Sequence, residues 1–153
     1  GKYLETWGES GYGPKQFRDP HALAMDSQGR LFVGDRHNSR IQIFDQTGKF
    51  LAIWTQFGRP SGIFIDRNDR IYVADSESSP AADPHMGMRN AGWEKGIRIG
   101  SARTGWVEHF IPDDRVNVTG YSGPEGVAVD DEGNVYGAEV TQRRVVKWVR
   151  FRP

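Results

Sequence analysis

Short apolar runs separated by turn residues fill this chain, and the same alternation recurs along its length. After Pro20 the runs 22–25, 31–33, 41–44 and 50–54 are divided by Asp26-Ser-Gln-Gly29, Arg36-His-Asn-Ser39 and Asp45-Gln-Thr-Gly48. Runs of this length, rich in Val, Ile, Phe and Trp and bounded by Gly, Asn, Asp and Ser, read as strands joined by hairpins. No window carries a helical period of useful length, so the fold class is all-β. Each unit is a four-stranded antiparallel meander.

The unit is written again. Pro20-His-Ala-Leu-Ala-Met-Asp26 returns as Pro60-Ser-Gly-Ile-Phe-Ile-Asp66 and as Pro124-Glu-Gly-Val-Ala-Val-Asp130. Leu31-Phe-Val-Gly-Asp35 returns as Ile71-Tyr-Val-Ala-Asp75 and Val135-Tyr-Gly-Ala-Glu139. Four-stranded units of about 40 residues are the blades of a β-propeller, each burying its faces against its neighbours. Gly1-Lys-Tyr-Leu-Glu-Thr-Trp7 matches Gly48-Lys-Phe-Leu-Ala-Ile-Trp54, so the sequence opens on a fourth strand. The expected organisation is a single propeller half. Residues 1–7 supply the fourth strand of an incomplete blade, 19–54 and 59–111 are whole blades, and 123–150 give three strands of the last.

Three blades do not close a ring, because propellers have about four to eight. An open arc leaves two apolar faces and an unpaired edge in water. A two-fold homodimer closing six blades, with residues 1–7 exchanged between copies, removes both. The alternative is that the chain is part of a longer one, as its start at Gly1 without methionine or signal peptide suggests. Between Asp75 and Ile97 the second blade carries an insert, residues 76–96, with His85, Met86, Met88 and Trp93. Long inserts on an economical scaffold are usually functional or disordered, and the apolar content of this one predicts that it folds over one end of the propeller.

Composition narrows the function classes. Twenty Lys and Arg balance twenty Asp and Glu, so no broad field steers the chain toward nucleic acid. The basic tail from Arg143 alternates cations with apolar residues, which is what a last strand with one solvated face requires. No run of apolar residues is long enough to span a bilayer. There is no cysteine, hence no disulfide and no thiolate metal site. The glycines of Gly8-Glu-Ser-Gly-Tyr-Gly-Pro14 lack the strand and helix that a dinucleotide loop needs, and the stretch reads as a plain loop.

The pattern Pro-x-Gly-Ile/Val-x-Val/Ile-Asp, then Tyr-Val-Ala-Asp, then Asn-x-Arg-Ile-Gln-x-Phe resembles the NHL repeat, best carried by residues 20–44. Together with Gly96-Ile-Arg-Ile-Gly-Ser-Ala102 and the stretch from Ser122 to Glu139, it is similar to the C-terminal half of bacterial NHL-repeat proteins. That resemblance implies a six-bladed propeller and a periplasmic or extracellular location. The family includes a peptidyl-hydroxyglycine amidating lyase whose zinc is held by histidines in the central channel. Pro20-His-Ala-Leu-Ala resembles the stretch around one of those histidines, so the resemblance implies a divalent metal, zinc or calcium, near His21. At the corresponding positions of the other blades this chain has Ser61 and Glu125, which departs from the lyase pattern. Two His21 and two Glu125 across a two-fold axis would make a mixed nitrogen and oxygen site.

Asp35, Asp75 and Glu139 recur in every blade, which points to hydrogen bonding of neighbouring turns rather than to chemistry. Asp26, Asp66 and Asp130 open hairpins and lack the spacing of a calcium loop. Arg40 and Arg144 share a repeat position and are expected to bridge blades. No nucleophile, base and orienting group stand at telling spacings. Two classes therefore stay open. One is a non-catalytic module binding a small molecule or peptide through His21, Ser61, Glu125, His85 and Trp93; the other is a metal-dependent lyase or hydrolase centred on His21 with Glu125.

Overall fold

The computed structural model describes residues 1–79, 90–114 and 122–150. A two-residue parallel pair, β1 (Glu9–Ser10) and β2 (Gln16–Phe17), precedes the blades. Blade one is β3 (Pro20–Met25), β4 (Leu31–Asp35), β5 (Arg40–Phe44) and β6 (Phe50–Trp54). Blade two is β7 (Pro60–Ile65), β8 (Arg70–Asp75), β9 (Gly96–Ser101) and β10 (Val107–Pro112). Blade three has three strands, β11 (Pro124–Val129), β12 (Val135–Glu139) and β13 (Arg144–Trp148). Every pairing within a blade is antiparallel and between sequence neighbours.

The hairpins between first and second strands share one construction. Asp26 Oδ1 accepts the backbone N–H groups of Gln28 and Arg30, Asp66 those of Asn68 and Arg70, and Asp130 those of Glu132 and Asn134. Asp45 does the same for Thr47 and Lys49 between β5 and β6. The carboxylate stands in for a backbone acceptor and holds the turn closed.

Strand β7 lies between β3 and β11, so the first strand of each blade is the inner one. Two apolar cores sit between consecutive blades. Phe32, Ile41, Ile43, Phe57, Ile71, Val73 and Ala102 form the first, and Tyr72, Ala74, Ile97, Ile99 and Val135 the second. The inner strands approach closely. A Cβ on Gly62 would lie 2.3 Å from the backbone oxygen of Glu125, so only glycine fits there. At the hairpin end, Ser27 of blade one donates through N–H and Oγ to Asp69 of blade two at 2.8 and 2.7 Å. Asp69 takes a left-handed φ of 59° at the position where blades one and three have Gly29 and Gly133.

β1 interrupts the expected loop at 8–14, and residues 1–7, expected to complete the blade of a second copy, form no strand within a single chain. A fourth strand needs the free edge of a third, and the third strand nearest the N-terminus already carries β6. Trp7 instead lies over the Gly48 turn, where an added Cβ would come within 3.1 Å of its ring. The second strands also run past their apolar runs to Asp35, Asp75 and Glu139, and a short 3-10 turn, Arg36–Asn38, follows the first. The basic tail is a strand through Trp148, alternating half-buried and exposed positions.

Candidate functional site

The inner strands bring His21, Ser61 and Glu125 to the same end of three neighbouring strands, beside the ends of the second strands. His21 is exposed, and its Nδ1 lies 2.7 Å from the carbonyl oxygen of Ser61. Ser61 is buried and its Oγ hydrogen-bonds Ser76 Oγ at 2.7 Å, which ties its side chain into the wall rather than the channel. Glu125 is half-buried. The contact with Ser61 fixes the His21 tautomer and leaves Nε2 as its open atom.

An ion-pair network missed by sequence reading surrounds these residues. Arg36 pairs with Asp19 at 2.8 Å, Arg59 pairs with Glu77 at 2.7 Å, and Arg36 reaches Glu77 at 3.9 Å. His37 Nε2 lies 3.6 Å from Asp19. Asp19 and Arg59 each precede the proline that opens an inner strand, a repeat position at which Gly123 stands in blade three. That shared offset from proline was the available signal.

The recurring acids behave as scaffold. Asp35 accepts from the N–H groups of Arg18 and Asp19, from Asn38 Nδ2 and from Arg40 Nε. Arg40 also donates to the carbonyls of Tyr12, Gly13 and Gln16, clamping the loop before the blade. Asp75 accepts from the N–H groups of Arg59, Glu77 and Ser78, and Arg98 Nη1 approaches it at 3.3 Å. Burial pushes the Asp75 carboxyl above the usual range and the Arg98 guanidinium below its own. Glu139 takes Arg144 Nε at 2.6 Å, and the same guanidinium reaches Asp114 at 3.2 Å, joining the segment after β10 to blade three.

Trp93 is half-buried at the described end of the insert. Arg98 lies between it and Phe110, with its guanidinium carbon 4.7 Å from one ring centroid and 4.6 Å from the other. The described end of the insert is therefore fastened to blade two by a cation between two rings. His85, Met86 and Met88 lie outside the described residues.

Among the described residues, Asp113, Asp114 and Glu139 form the one group of three metal-ligating side chains with their oxygens within 4.8 Å. Arg144 already bonds two of them. Among the described residues, His21 and Glu125 belong to no such group. At the opposite, hairpin end, hydrogen bonds from Ser27 hold the Asp69 carboxyl down to about 2, and those from Asn134 do the same for Asp130. A cleft of about 470 Å³ opens there between blades two and three, lined by both hairpins and Arg150. A second, of about 370 Å³, lies beside Trp148.

Comparison with known proteins follows the same lines. Residues 17–44 match the NHL repeat, and residues 114–140 match the strictosidine synthase-like N-terminal family. NHL repeat-containing protein 3 of Homo sapiens is 41% identical over 95 residues, covering 56% of this chain and 27% of that protein. Peptidyl-glycine alpha-amidating monooxygenase B of Xenopus laevis is 31% identical over 164 residues, 97% of this chain and 17% of that protein. The chain thus spans about a quarter or less of the length of these curated relatives. Among solved structures, Kuenenia stuttgartiensis hydrazine synthase superposes with a TM-score of 0.53 at 19% identity, over 83% of this chain and 36% of the other, a likeness of fold. The Pro20-to-Phe44 unit is thus an NHL repeat, and the antiparallel blades set around adjacent inner strands are those of a β-propeller.

Proposed function

We propose that this chain is a non-catalytic binding module whose ring is closed to six blades by a second copy, and which takes a small molecule or peptide at the His21 end of the channel. The observation that carries the reading is the state of the two end faces. Leu23 and Met25 are 65% and 51% exposed, yet they occupy the repeat positions of Ile63 and Ile65, and of Val127 and Val129, which pack into the two cores. On blade three, Val145 is 72% exposed at the position of Ile41 and Ile97, both wholly buried. Each such side chain gains roughly 1.5–3 kcal/mol when fully covered. Light scattering over a wide concentration range tests it. A stable species at twice 17.2 kDa is expected, and a monomer throughout overturns the closed ring.

A second reading, a metal-dependent lyase or hydrolase centred on His21, is favoured by one contact. A histidine that ligates a metal usually donates its other ring N–H to a carbonyl or carboxylate, and Nδ1 of His21 is so placed on Ser61. The remaining ligands would have to come from Glu125 and a second copy. The bound metal would supply a Lewis acid and an activated water. The relative named for peptidyl-glycine makes a glycine-ended peptide the first ligand to try under either reading. Calorimetric titration with zinc should then show one tight site per dimer, lost in His21→Ala. No zinc binding by the wild-type dimer overturns this second reading and leaves the first.

A further inference from the structure

Among the described residues β13 has no strand on its outer edge, and the repeat fixes what a fourth strand there must carry. Arg40, Gly96 and Arg144 are equivalent, because each pairs with the acid ending the second strand of its blade, Asp35, Asp75 and Glu139. Counting on from them, Ile43, Ile99 and Lys147 share one position, Ile41, Ile97 and Val145 a second, and Phe44, Gly100 and Trp148 a third. In blade one the fourth strand sets Trp54 opposite Ile41, Ala52 opposite Ile43 and Phe50 opposite Phe44. In blade two it sets Ile111 opposite Ile97, His109 opposite Ile99 and Val107 opposite Gly100.

Residues 1–7 repeat residues 48–54 without a gap. Laid in the same register along β13, they place Trp7 opposite Val145, Glu5 opposite Lys147 and Tyr3 opposite Trp148. We propose that the β13 edge is occupied by residues 1–7 of a second copy in this register, with Glu5 and Lys147 as a cross-strand ion pair. This rests on the closed-ring reading and adds the element that makes it selective.

Three observations support it. The other blades have Ile43 with Ala52 and Ile99 with His109 at this pair, and blade three is the one with charge at both places, of opposite sign. Ile43 is buried in the core between blades one and two, so ring closure would cover Lys147, and a covered cation needs a partner. Its ammonium is at present 3.8 Å from Asp130 and 5.1 Å from the Tyr136 ring centroid, with the side chain exposed. Finally, the cleft of about 370 Å³ beside Trp148, walled by Ile99, His109, Ile111 and Val135, lies where an aromatic is needed. In blade one Phe50 fills the matching place, edge-on to Phe44 at 6.0 Å. Tyr3, now 74% exposed, supplies that ring.

The test uses the absence of native cysteine. Directly opposed residues of antiparallel strands lie about 4.5–5.5 Å apart at Cα, within disulfide range. Glu5→Cys with Lys147→Cys in one chain should give, on oxidation, a covalent dimer that thiol dissociates, whereas Thr6→Cys with Lys147→Cys should not, since residue 6 faces the other side. Separately, Glu5→Lys alone and Lys147→Glu alone should each raise the dimer dissociation constant at least about 10-fold, from two like-charge pairs per dimer. The exchange variant Glu5→Lys/Lys147→Glu should return it to within about threefold of wild type. A wild-type dimer with no 5–147 cross-link and no rescue by exchange overturns the register while ring closure stands. A wild-type monomer at every concentration overturns both.

Discussion

Replacing Arg98 by methionine separates charge from packing in the pair that anchors the insert. Methionine keeps the length and polarisability needed between Trp93 and Phe110, so the rings retain their contact. What disappears is the cation 3.3 Å from Asp75, a carboxylate with no exposed surface, and the hydrogen bond from Arg98 Nη2 to the Glu94 carbonyl at 3.0 Å. Removing one partner of a buried ion pair costs about 3–5 kcal/mol, because the survivor is left uncompensated. Three backbone N–H groups still reach Asp75, which argues for the lower half of that range. For a chain of this size, about 3–4 kcal/mol lowers Tm by roughly 6–16 °C.

The same variant carries a pH signature whose sign is fixed by the direction of the shift. Burial already raises the Asp75 carboxyl, and losing the cation raises it further. A group whose folded pKa lies above its unfolded value, here about 3.9, contributes fully below that value and loses its contribution as pH rises through the folded pKa. Arg98→Met should therefore fall furthest behind wild type near neutrality and close the gap as pH drops toward 4. Adding Asp75→Asn should recover part of the neutral-pH loss, since no charge is then left buried, although one amide oxygen cannot accept from both Arg59 N–H and the Glu77 and Ser78 N–H groups. Thermal melts at fixed protein concentration, at pH 7.5 and 4.5, read both effects. A single variant within about 1 kcal/mol of wild type, or a deficit that ignores pH, would refute the assignment.

Gly62→Ala should destabilise by about 1–3 kcal/mol or more in a urea melt, since its Cβ meets the Glu125 backbone oxygen rather than a yielding side chain. Below pH 4 the wild type should lose stability progressively: Asp69 and Asp130, held down to about 2, contribute above their unfolded values and lose that contribution as pH falls through the folded ones. Asp69→Asn should flatten the acid limb of Tm against pH and weaken the junction of blades one and two, whereas an unchanged limb would assign the acid loss elsewhere. Trp93→Ala should cost less than Arg98→Met, about 0.5–2 kcal/mol, the scale of a cation held against a ring, and a larger loss would mean that Trp93 does more than cover Arg98.

How much of this was legible in the sequence follows from what a repeat can and cannot encode. Blades one to three were readable because each strand needs alternating apolar residues and each hairpin needs its Asp, so Asp26, Asp66 and Asp130 announce themselves three times over. Departures from the repeat were harder. Residues 1–7 have the sequence of a fourth strand and yet form none within the chain, because strand propensity does not supply an edge, and the free edge of β13 lies at the other end of the arc. Trp93 reads as a binding residue because it is unrepeated; that it also covers Arg98 depends on Phe110, which lies 17 residues further on. His21, Ser61 and Glu125 share an offset from proline and stand at the same end of neighbouring inner strands, but the offset does not say that Ser61 turns its hydroxyl to Ser76. The most informative residues are those that break the pattern at a place where the pattern is known. Lys147, where the other blades have Ile43 and Ile99, and Glu5, where they have Ala52 and His109, are two such breaks, and the register proposed for the β13 edge sets them opposite each other.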